Sequence, residues 1–253
     1  MCRAADRAAP PARLGSVKTL DDLAADFALD QTQAAALSCY LDLLLGWRRG
    51  NITAVRTRAG AAERLLADSL ALLDVPALEE AGPRWLDLGS GAGLPGIPLA
   101  VARPSFHLTL LDSVAKKCAF LEAALMATGL VQGARVVHAR SEDFAARAGE
   151  GREAFDLVLV RAVAGLASVV ELAAPLLALG GALLAVKSAD GAAQEGRGAQ
   201  AAAGCCGLAA AGTTPLSRSP VRDSVCAVFV KTGPTPDWLP RRPGLATRRP
   251  LAP

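Results

Sequence analysis

The sequence has few of the residues that build metal centres, and no hydrophobic run long enough to cross a membrane. Its six cysteines form no C-x-x-C pair, and its two histidines, His107 and His138, fall in predicted strands. This argues against a metal site and predicts reduced thiols in a cytoplasmic protein. The longest apolar run, Ala173 to Val186, is interrupted by proline and glycine. We therefore expect a soluble protein without a membrane partner.

The charge of the chain is concentrated at its two ends. The first 18 residues have a net charge of +3, residues 231–253 have +4, and the remainder is acidic. Basic ends suit a polyanionic partner that is contacted at particular surfaces, although solvated tails would have the same composition. The N-terminal segment lacks the apolar core of a secretory signal. It fits either a flexible basic arm or an organelle transit peptide.

One stretch, Arg84 to Leu99, organises the rest of the chain. It reads RWLDLGSGAGLPGIPL, a short apolar run followed by alternate glycines and then by a helix-like segment. This pattern predicts a strand, a tight turn and a helix start. Glycines at this spacing let a ligand approach the backbone closely, and the first N–H groups of a helix can bind its polar groups. The stretch indicates a nucleotide-like ligand.

Two known patterns compete for these glycines. Gly91, Gly93 and Gly96 match the dinucleotide pattern G-x-G-x-x-G, which is a weak signal by itself. Asp87, two residues before Gly89, instead completes D-x-G-x-G-x-G, the first motif of Rossmann-like S-adenosylmethionine methyltransferases. Prolines near the helix start would also weaken a pyrophosphate site. We therefore predict that Asp87, Gly89, Gly91 and Gly93 bind S-adenosylmethionine.

Strands and helices alternate after this motif, which predicts a mostly parallel sheet with helices on both faces. The predicted strands are 85–88, 107–111, 135–138, 156–160, 182–187 and 225–231, with a weaker one at 207–213 that could form an edge hairpin with the last. The predicted helices are 97–103, 116–128 and 169–179. The expected fold is α/β, a Rossmann-like class I methyltransferase with an N-terminal helical extension.

The composition also predicts a division of the chain. We expect a flexible basic arm at 1–18, a helical extension at 19–80, a methyltransferase domain at 81–232 and a Pro/Arg-rich tail at 233–253. Within the domain, residues 188–215 are rich in Ala and Gly and predict a flexible or weakly helical excursion.

Further candidate site residues follow the later strands. Asp112 ends the second strand, where an acidic group can accept from ribose hydroxyls or can cap the next helix. Ser141 and Glu142, in ARSEDF, could meet an adenine edge or form a capping box. Arg161 ends FDLVLVRA and could face a cofactor carboxylate or a substrate phosphate, with a surface ion pair as the alternative.

A basic segment lies between the N-terminal helices and this domain. Trp47 to Arg58 reads WRRGNITAVRTR, with four arginines, one tryptophan and no acidic residue. Guanidinium groups pair with phosphates and stack on bases, so the segment could face RNA. A solvated turn between helices would have the same composition.

Several stretches together resemble one bacterial family, the ribosomal RNA small-subunit methyltransferase G family, also called glucose-inhibited division protein B. They are GSGAGLPGIPLA, LLDSVAKKCAFLEA, ARSEDF, FDLVLVRA, NITAVR, ADSL and the ending WLPRRPGLATRRPL. The resemblance implies methyl transfer from S-adenosylmethionine to N7 of a guanine in 16S ribosomal RNA. It implies cofactor contacts at Gly89, Leu94, Ser141, Glu142 and Arg161.

Guanine N7 has a free lone pair and no proton, so its methylation requires no general base. Catalysis would be mainly positioning, with Arg161 orienting cofactor or RNA. The partner would be ribosomal RNA or the small ribosomal subunit, and we expect a monomer. Two alternatives stay open: a methyltransferase for a small molecule or a protein, and a cofactor-sensing RNA-binding module without turnover.

Overall fold

The computed structural model describes residues 19–251, and a seven-stranded sheet lies at its centre. The strands are β1 Arg84–Leu88, β2 His107–Asp112, β3 Ala134–His138, β4 Phe155–Arg161, β5 Leu177–Ser188, β6 Leu208–Pro215 and β7 Ser224–Lys231. Their order across the sheet is β3-β2-β1-β4-β5-β7-β6. The first five strands are parallel, and β7 pairs antiparallel with both β5 and β6.

This topology confirms the predicted fold class, including the antiparallel hairpin at one edge. The strand order changes direction between β1 and β4, which are neighbours in the sheet. Open α/β sheets bind ligands at the carboxyl ends of the strands beside such a point. The fold therefore predicts a ligand-binding site at the residues that follow β1, β2, β3 and β4.

Helices cover both faces of the sheet. They are α1 Leu20–Asp26, α2 Gln31–Gly46, α3 Arg58–Ala61, α4 Asp68–Leu70, α5 Pro76–Glu79, α6 Gly96–Ala102, α7 Ala115–Thr128, α8 Ser141–Ala145, α9 Leu166–Ala173, α10 Ala189–Cys205 and α11 Leu245–Arg248. A π-helical segment, Ala62–Ala67, joins α3 to α4, and a 3-10 turn, Ala71–Asp74, follows α4.

The core has two layers because successive side chains of a strand point to opposite faces. Trp85 and Leu157 pack with the N-terminal helices, α6 and α7 in one hydrophobic cluster. Leu86 and Val158 pack with α9, α10 and α11 in the other. Burial of both faces explains why the central strands are almost continuously apolar.

The N-terminal helices belong to the same core as the sheet. Thr19 and Asp30 each begin a helix with a capping box, which fixes the starts of α1 and α2. The fully buried Tyr40 of α2 donates its hydroxyl to the carbonyl oxygen of Ala92 over 2.7 Å. The N-terminal helices therefore contact the glycine loop directly.

The structure corrects two predictions about the second half of the chain. Residues 188–215, predicted to be a flexible or weakly helical excursion, form the 17-residue α10, which is followed by β6 where a weaker strand at 207–213 was predicted. The Ser188 hydroxyl caps α10, and buried alanines, including Ala199, pack this helix against its neighbours. Small side chains allow close approach here, so few large apolar residues are needed. The predicted helix 169–179 ends at Ala173, before Pro175, and β5 begins at Leu177.

Residues 1–18, for which a basic arm is predicted, and residues 252–253 lie outside the described part of the chain. Between residues 19 and 251, no helix has both the length and the apolar character needed to cross a bilayer.

Candidate cofactor and substrate site

The glycine loop follows β1 and bends back at the carboxyl edge of the sheet. The N–H groups of Gly89 and Ser90 both donate to the carbonyl oxygen of Leu111, at 2.8 and 3.0 Å, which ties the loop to β2. Gly89 has a φ of +72°. A Cβ at this position would lie 2.7 Å from a methyl carbon of Val163, so the turn requires glycine here.

Asp87 lies under this loop and is almost completely buried. Its Oδ2 accepts from the Gly96 N–H at 2.9 Å, whereas its Oδ1 has no hydrogen-bond partner. Burial raises the pKa of Asp87 to about 7, although the Gly96 hydrogen bond and the charge of Arg161 act in the opposite direction. Asp87 therefore positions the start of α6 and retains one unpaired oxygen.

Asp112 holds the loop from the second strand. Its carboxylate accepts from the N–H of Gly91 and from the N–H of Val114, both at 2.9 Å, and lies 3.5 Å from Lys117 Nζ. The alternative of a helix cap does not apply, because Val114 is the N-cap of α7 and Asp112 precedes it. Through these hydrogen bonds, Asp112 joins the glycine loop to the turn that follows β2.

Glu142 lies beyond the end of β3, at the start of α8. Its Oε2 accepts from the Ser141 hydroxyl at 2.9 Å, and its Oε1 accepts from the N–H of Gly244 in the C-terminal tail at 2.7 Å. The capping-box alternative does not apply either, since no side chain caps α8. Gly244 lies in the C-terminal tail, outside the motifs that predict the other site residues.

These groups surround a first cavity of about 300 Å³. Four of the predicted cofactor-binding residues line it, namely Gly89, Asp112, Ser141 and Glu142. Gly91, Gly93 and Leu94 of the loop, and Asp87 beneath it, are not part of this lining. Across the described residues, no group of three or more His, Cys, Asp or Glu side chains could hold a metal ion.

Arg161 lies outside this first cavity and lines a second one of about 400 Å³. The two cavities share Ala162 in their walls, so they are adjacent. Lys187 and Asp68 also line the second cavity. Ala162 has a φ of +55°, a conformation that costs free energy for a residue other than glycine.

The partner of Arg161 is Asp68, which is not among the predicted site residues. Its Oδ2 accepts from Arg161 Nη1 at 3.0 Å, and its Oδ1 accepts from the hydroxyls of Ser219 and Ser224 at 2.6 and 3.1 Å. Asp68 is 5% exposed. The ion-pair alternative for Arg161 is therefore present, but the pair is largely buried and lies in a cavity.

The basic segment Trp47 to Arg58 divides into two groups of arginines. The side chains of Arg48, Arg49 and Arg56 are exposed, and the described part of the chain provides no hydrogen bond or ion pair to them. The Arg49 guanidinium lies 6.0 Å from the centre of the Trp47 ring. Arg58, by contrast, pairs with Asp42 and Ser38 on α2. Three of the four arginines are thus available to a polyanion.

A family model described as GidB, rRNA small subunit methyltransferase G, matches residues 33–214. The chain belongs to this family. It is an S-adenosylmethionine-dependent rRNA methyltransferase, which confirms the predicted cofactor and enzyme class. Ribosomal RNA small subunit methyltransferase G of Chloroflexus aggregans is 37% identical over 224 residues, covering 88% of this chain and 92% of the relative. The protein of the same name from Moorella thermoacetica is 36% identical over 233 residues, with the same coverages.

Solved structures show the same fold at low identity. The mitomycin 7-O-methyltransferase MmcR is 12% identical with a TM-score of 0.54, over 87% of this chain and 74% of that one. Cofactor-bound Rv0187 from MTB is 20% identical with a TM-score of 0.52, over 85% of this chain and 99% of that one. These similarities concern the fold alone.

Proposed function

We propose that this member of the methyltransferase G family methylates N7 of a guanine in 16S ribosomal RNA. The observation that carries the proposal is the pair of adjacent cavities at the carboxyl edge of the parallel strands, with Ala162 common to both. One cavity would hold the methyl donor and the other the acceptor base. Such an arrangement can bring donor and acceptor together in line, and positioning of this kind contributes much of the rate in group transfer.

The first cavity suits S-adenosylmethionine, which when bound supplies a methyl group on a positively charged sulfur. We assign Asp112 to the ribose hydroxyls, because its carboxylate lies in the cavity wall and can accept further hydrogen bonds. Ser141 and Glu142 are assigned to the adenine end, and Gly89 to the close approach of the backbone. Asp87, Gly91, Gly93 and Leu94 are assigned to the loop that forms this wall.

The second cavity suits a base of RNA. Arg161 projects from the end of β4, is held by Asp68, and would donate to an acceptor atom of the guanine or its phosphate. Methylation at N7 spreads positive charge over the purine, and the pairing of Arg161 with the Asp68 carboxylate would reduce the repulsion between this charge and the guanidinium. The reaction requires no proton transfer, because guanine N7 has a free lone pair and no proton.

The remaining assignments concern the enzyme as a whole. The exposed guanidinium groups of Arg48, Arg49 and Arg56 would contact phosphates of the RNA around the target. We keep the division into a basic arm at 1–18, a helical extension at 19–80, a catalytic domain at 81–232 and a tail at 233–253. We further propose that the enzyme acts as a monomer in the cytoplasm.

A labelling experiment tests this function. Purified enzyme is incubated with tritiated S-adenosylmethionine and, in separate reactions, with small subunits, free 16S RNA and large subunits. We expect label only in the first two, at a single 7-methylguanosine that borohydride reduction and aniline scission can locate. Label in a protein, a small molecule or another base would contradict the proposal, and cofactor binding without any transfer would indicate a non-catalytic module.

A further inference from the structure

The described part of the C-terminal tail, residues 233–251, comes after the last strand and returns to the first cavity. It contains only one helical turn, α11, and the rest is irregular. Nevertheless, Gly244 and Thr247 of this tail line the cavity together with Asp112, Ser141 and Glu142. The tail belongs neither to the glycine loop nor to the ends of the parallel strands, yet it forms part of the wall of this cavity.

The tail makes its polar contact at the Glu142 end of the cavity. The Gly244 N–H donates to Glu142 Oε1 over 2.7 Å, and Glu142 is 8% exposed. The Thr247 hydroxyl donates to the carbonyl oxygen of Gly244 at 3.1 Å, which stabilises the turn that presents this N–H. Because Glu142 is fixed by the tail on one oxygen and by Ser141 on the other, its orientation depends on both.

Arg241 fixes the tail to the domain. Its guanidinium makes a bidentate ion pair with Glu171 of α9, which is 2% exposed, and donates to the carbonyl oxygen of Arg249 at 2.7 Å. The Arg241 side chain therefore connects α9 to both ends of the tail segment that lines the cavity. Ala246, between them, is buried and accepts from the Ser168 hydroxyl of α9 at 2.9 Å.

We propose that the tail is a structural part of the cofactor site, closing its adenine end through Gly244 and Thr247, and that Arg241 is the positioning residue that holds it there. The inference rests on the proposed function of the first cavity. It predicts that an ordered tail and a bound cofactor stabilise each other, because the same contacts form the wall and orient Glu142.

The test compares tail variants in the full-length protein, with S-adenosylhomocysteine as the probe. Arg241→Gln breaks the ion pair with Glu171, and we expect the dissociation constant measured by calorimetry to rise at least tenfold. The KM for S-adenosylmethionine should rise similarly, while kcat at saturating cofactor stays within about twofold of the original value. Arg241→Lys keeps the charge and should restore part of the affinity. Arg248→Gln, at an exposed side chain without such contacts, should leave both quantities unchanged.

A purely structural role for Arg241 would lower the free energy of unfolding and leave the affinity of the folded variant unchanged, which would overturn the inference. Hydrogen exchange of the unmodified enzyme provides a test even if Arg241→Gln does not fold. We expect S-adenosylhomocysteine to slow the exchange of the amides at 244–247, and equal exchange with and without it would also overturn the inference. If the unmodified enzyme binds no S-adenosylhomocysteine at all, the assignment of the cavity itself is wrong.

Discussion

Arg161 Nη1 donates to Asp68 Oδ2 over 3.0 Å, and this ion pair joins the end of β4 to the helical segment before the catalytic domain. The two residues are 93 positions apart in the chain. Arg161 is 17% exposed and Asp68 is 6% exposed in their side chains, so water screens the pair only partly. Arg161 therefore contributes to the fold as well as to the proposed acceptor site.

Arg161→Lys separates these two contributions. Lysine keeps the charge opposite Asp68, so we expect the free energy of unfolding to fall less than it does in Arg161→Ala, which leaves a buried carboxylate without a cation. It loses the planar fork of donors, and a lost charge-assisted contact of about 1.5–3 kcal/mol should lower turnover roughly ten- to a hundredfold. Urea unfolding and tritium transfer to small subunits measure the two effects.

Two further variants serve as controls for this prediction. Arg161→Ala leaves the buried Asp68 carboxylate without its cation, so stability and activity should both fall. Asp68→Asn keeps the shape of the side chain but removes its charge, and it should cost stability for the same reason. Methylation by Arg161→Lys at the unchanged rate would show that turnover does not require the guanidinium fork of Arg161.

Asp112→Asn tests the assignment of the ribose site. The substitution removes the charge that two backbone N–H groups and the proposed ribose hydroxyls share. We expect the affinity for S-adenosylhomocysteine to fall about ten- to a hundredfold, equivalent to roughly 1.5–3 kcal/mol. Calorimetry measures the affinity, and Asp143→Asn, at an exposed position of α8, is the matched control. Equal affinities for the two variants would remove Asp112 from the site.

The sequence predicted those parts of the site that are local to one strand end. Gly89 directly follows β1 and Asp112 is the last residue of β2, so the parallel order of these two strands was enough to bring them together. The contacts between Asp68 and Arg161 and between Gly244 and Glu142 join residues 93 and 102 positions apart. No periodic pattern indicates such a pair, because it depends on how the whole chain packs.

The prediction of a flexible or weakly helical excursion at residues 188–215 differs from the structure for a related reason. Alanine and glycine are common in loops, in weak helices and in closely packed helices, so composition alone did not distinguish these states. The structure gives this segment its helix through the Ser188 cap and the burial of Ala199, Ala202 and Ala203. The burial of the alanines depends on tertiary packing, which a count of residue types does not contain, whereas the Ser188 cap is a local feature of the chain.

Asp87 gives the protein a specific dependence of stability on pH. Burial raises its pKa from 3.8 to about 7, so between these values the folded state binds more protons than the unfolded state. The contribution of Asp87 to stability should therefore fall as pH rises towards 7 and stay constant above it. Relative to Asp87→Asn, the native protein should lose about 2–3 kcal/mol between pH 5 and 7.5, at roughly 1.4 kcal/mol per pKa unit.

Urea unfolding at pH 5, 6 and 7.5 measures this difference. Asp156→Asn is the control, because the hydrogen bond from Arg84 lowers the pKa of Asp156 below its usual value. That carboxylate stays charged throughout this range in both states, so the difference between Asp156→Asn and the native protein should not vary with pH. Parallel curves for Asp87→Asn and the native protein would show that Asp87 is ionised in the fold at pH 5.

The exposed arginines of the basic segment give the last prediction. Arg48, Arg49 and Arg56 present their guanidinium groups to solvent, whereas Arg58 is already paired with Asp42. Changing the first three to Gln should weaken binding to small-subunit RNA and lower the slope of log affinity against log salt by about 2, at roughly 0.7 per phosphate contact. Affinity for S-adenosylhomocysteine should be unchanged.

Arg58→Gln is the matched control in the same segment. It also removes one charge, but it should leave the salt slope unchanged because that charge is already paired with Asp42 of α2. A triple variant with the original slope would identify the segment as a solvated turn, and a lower slope for Arg58→Gln would mean that RNA displaces Asp42.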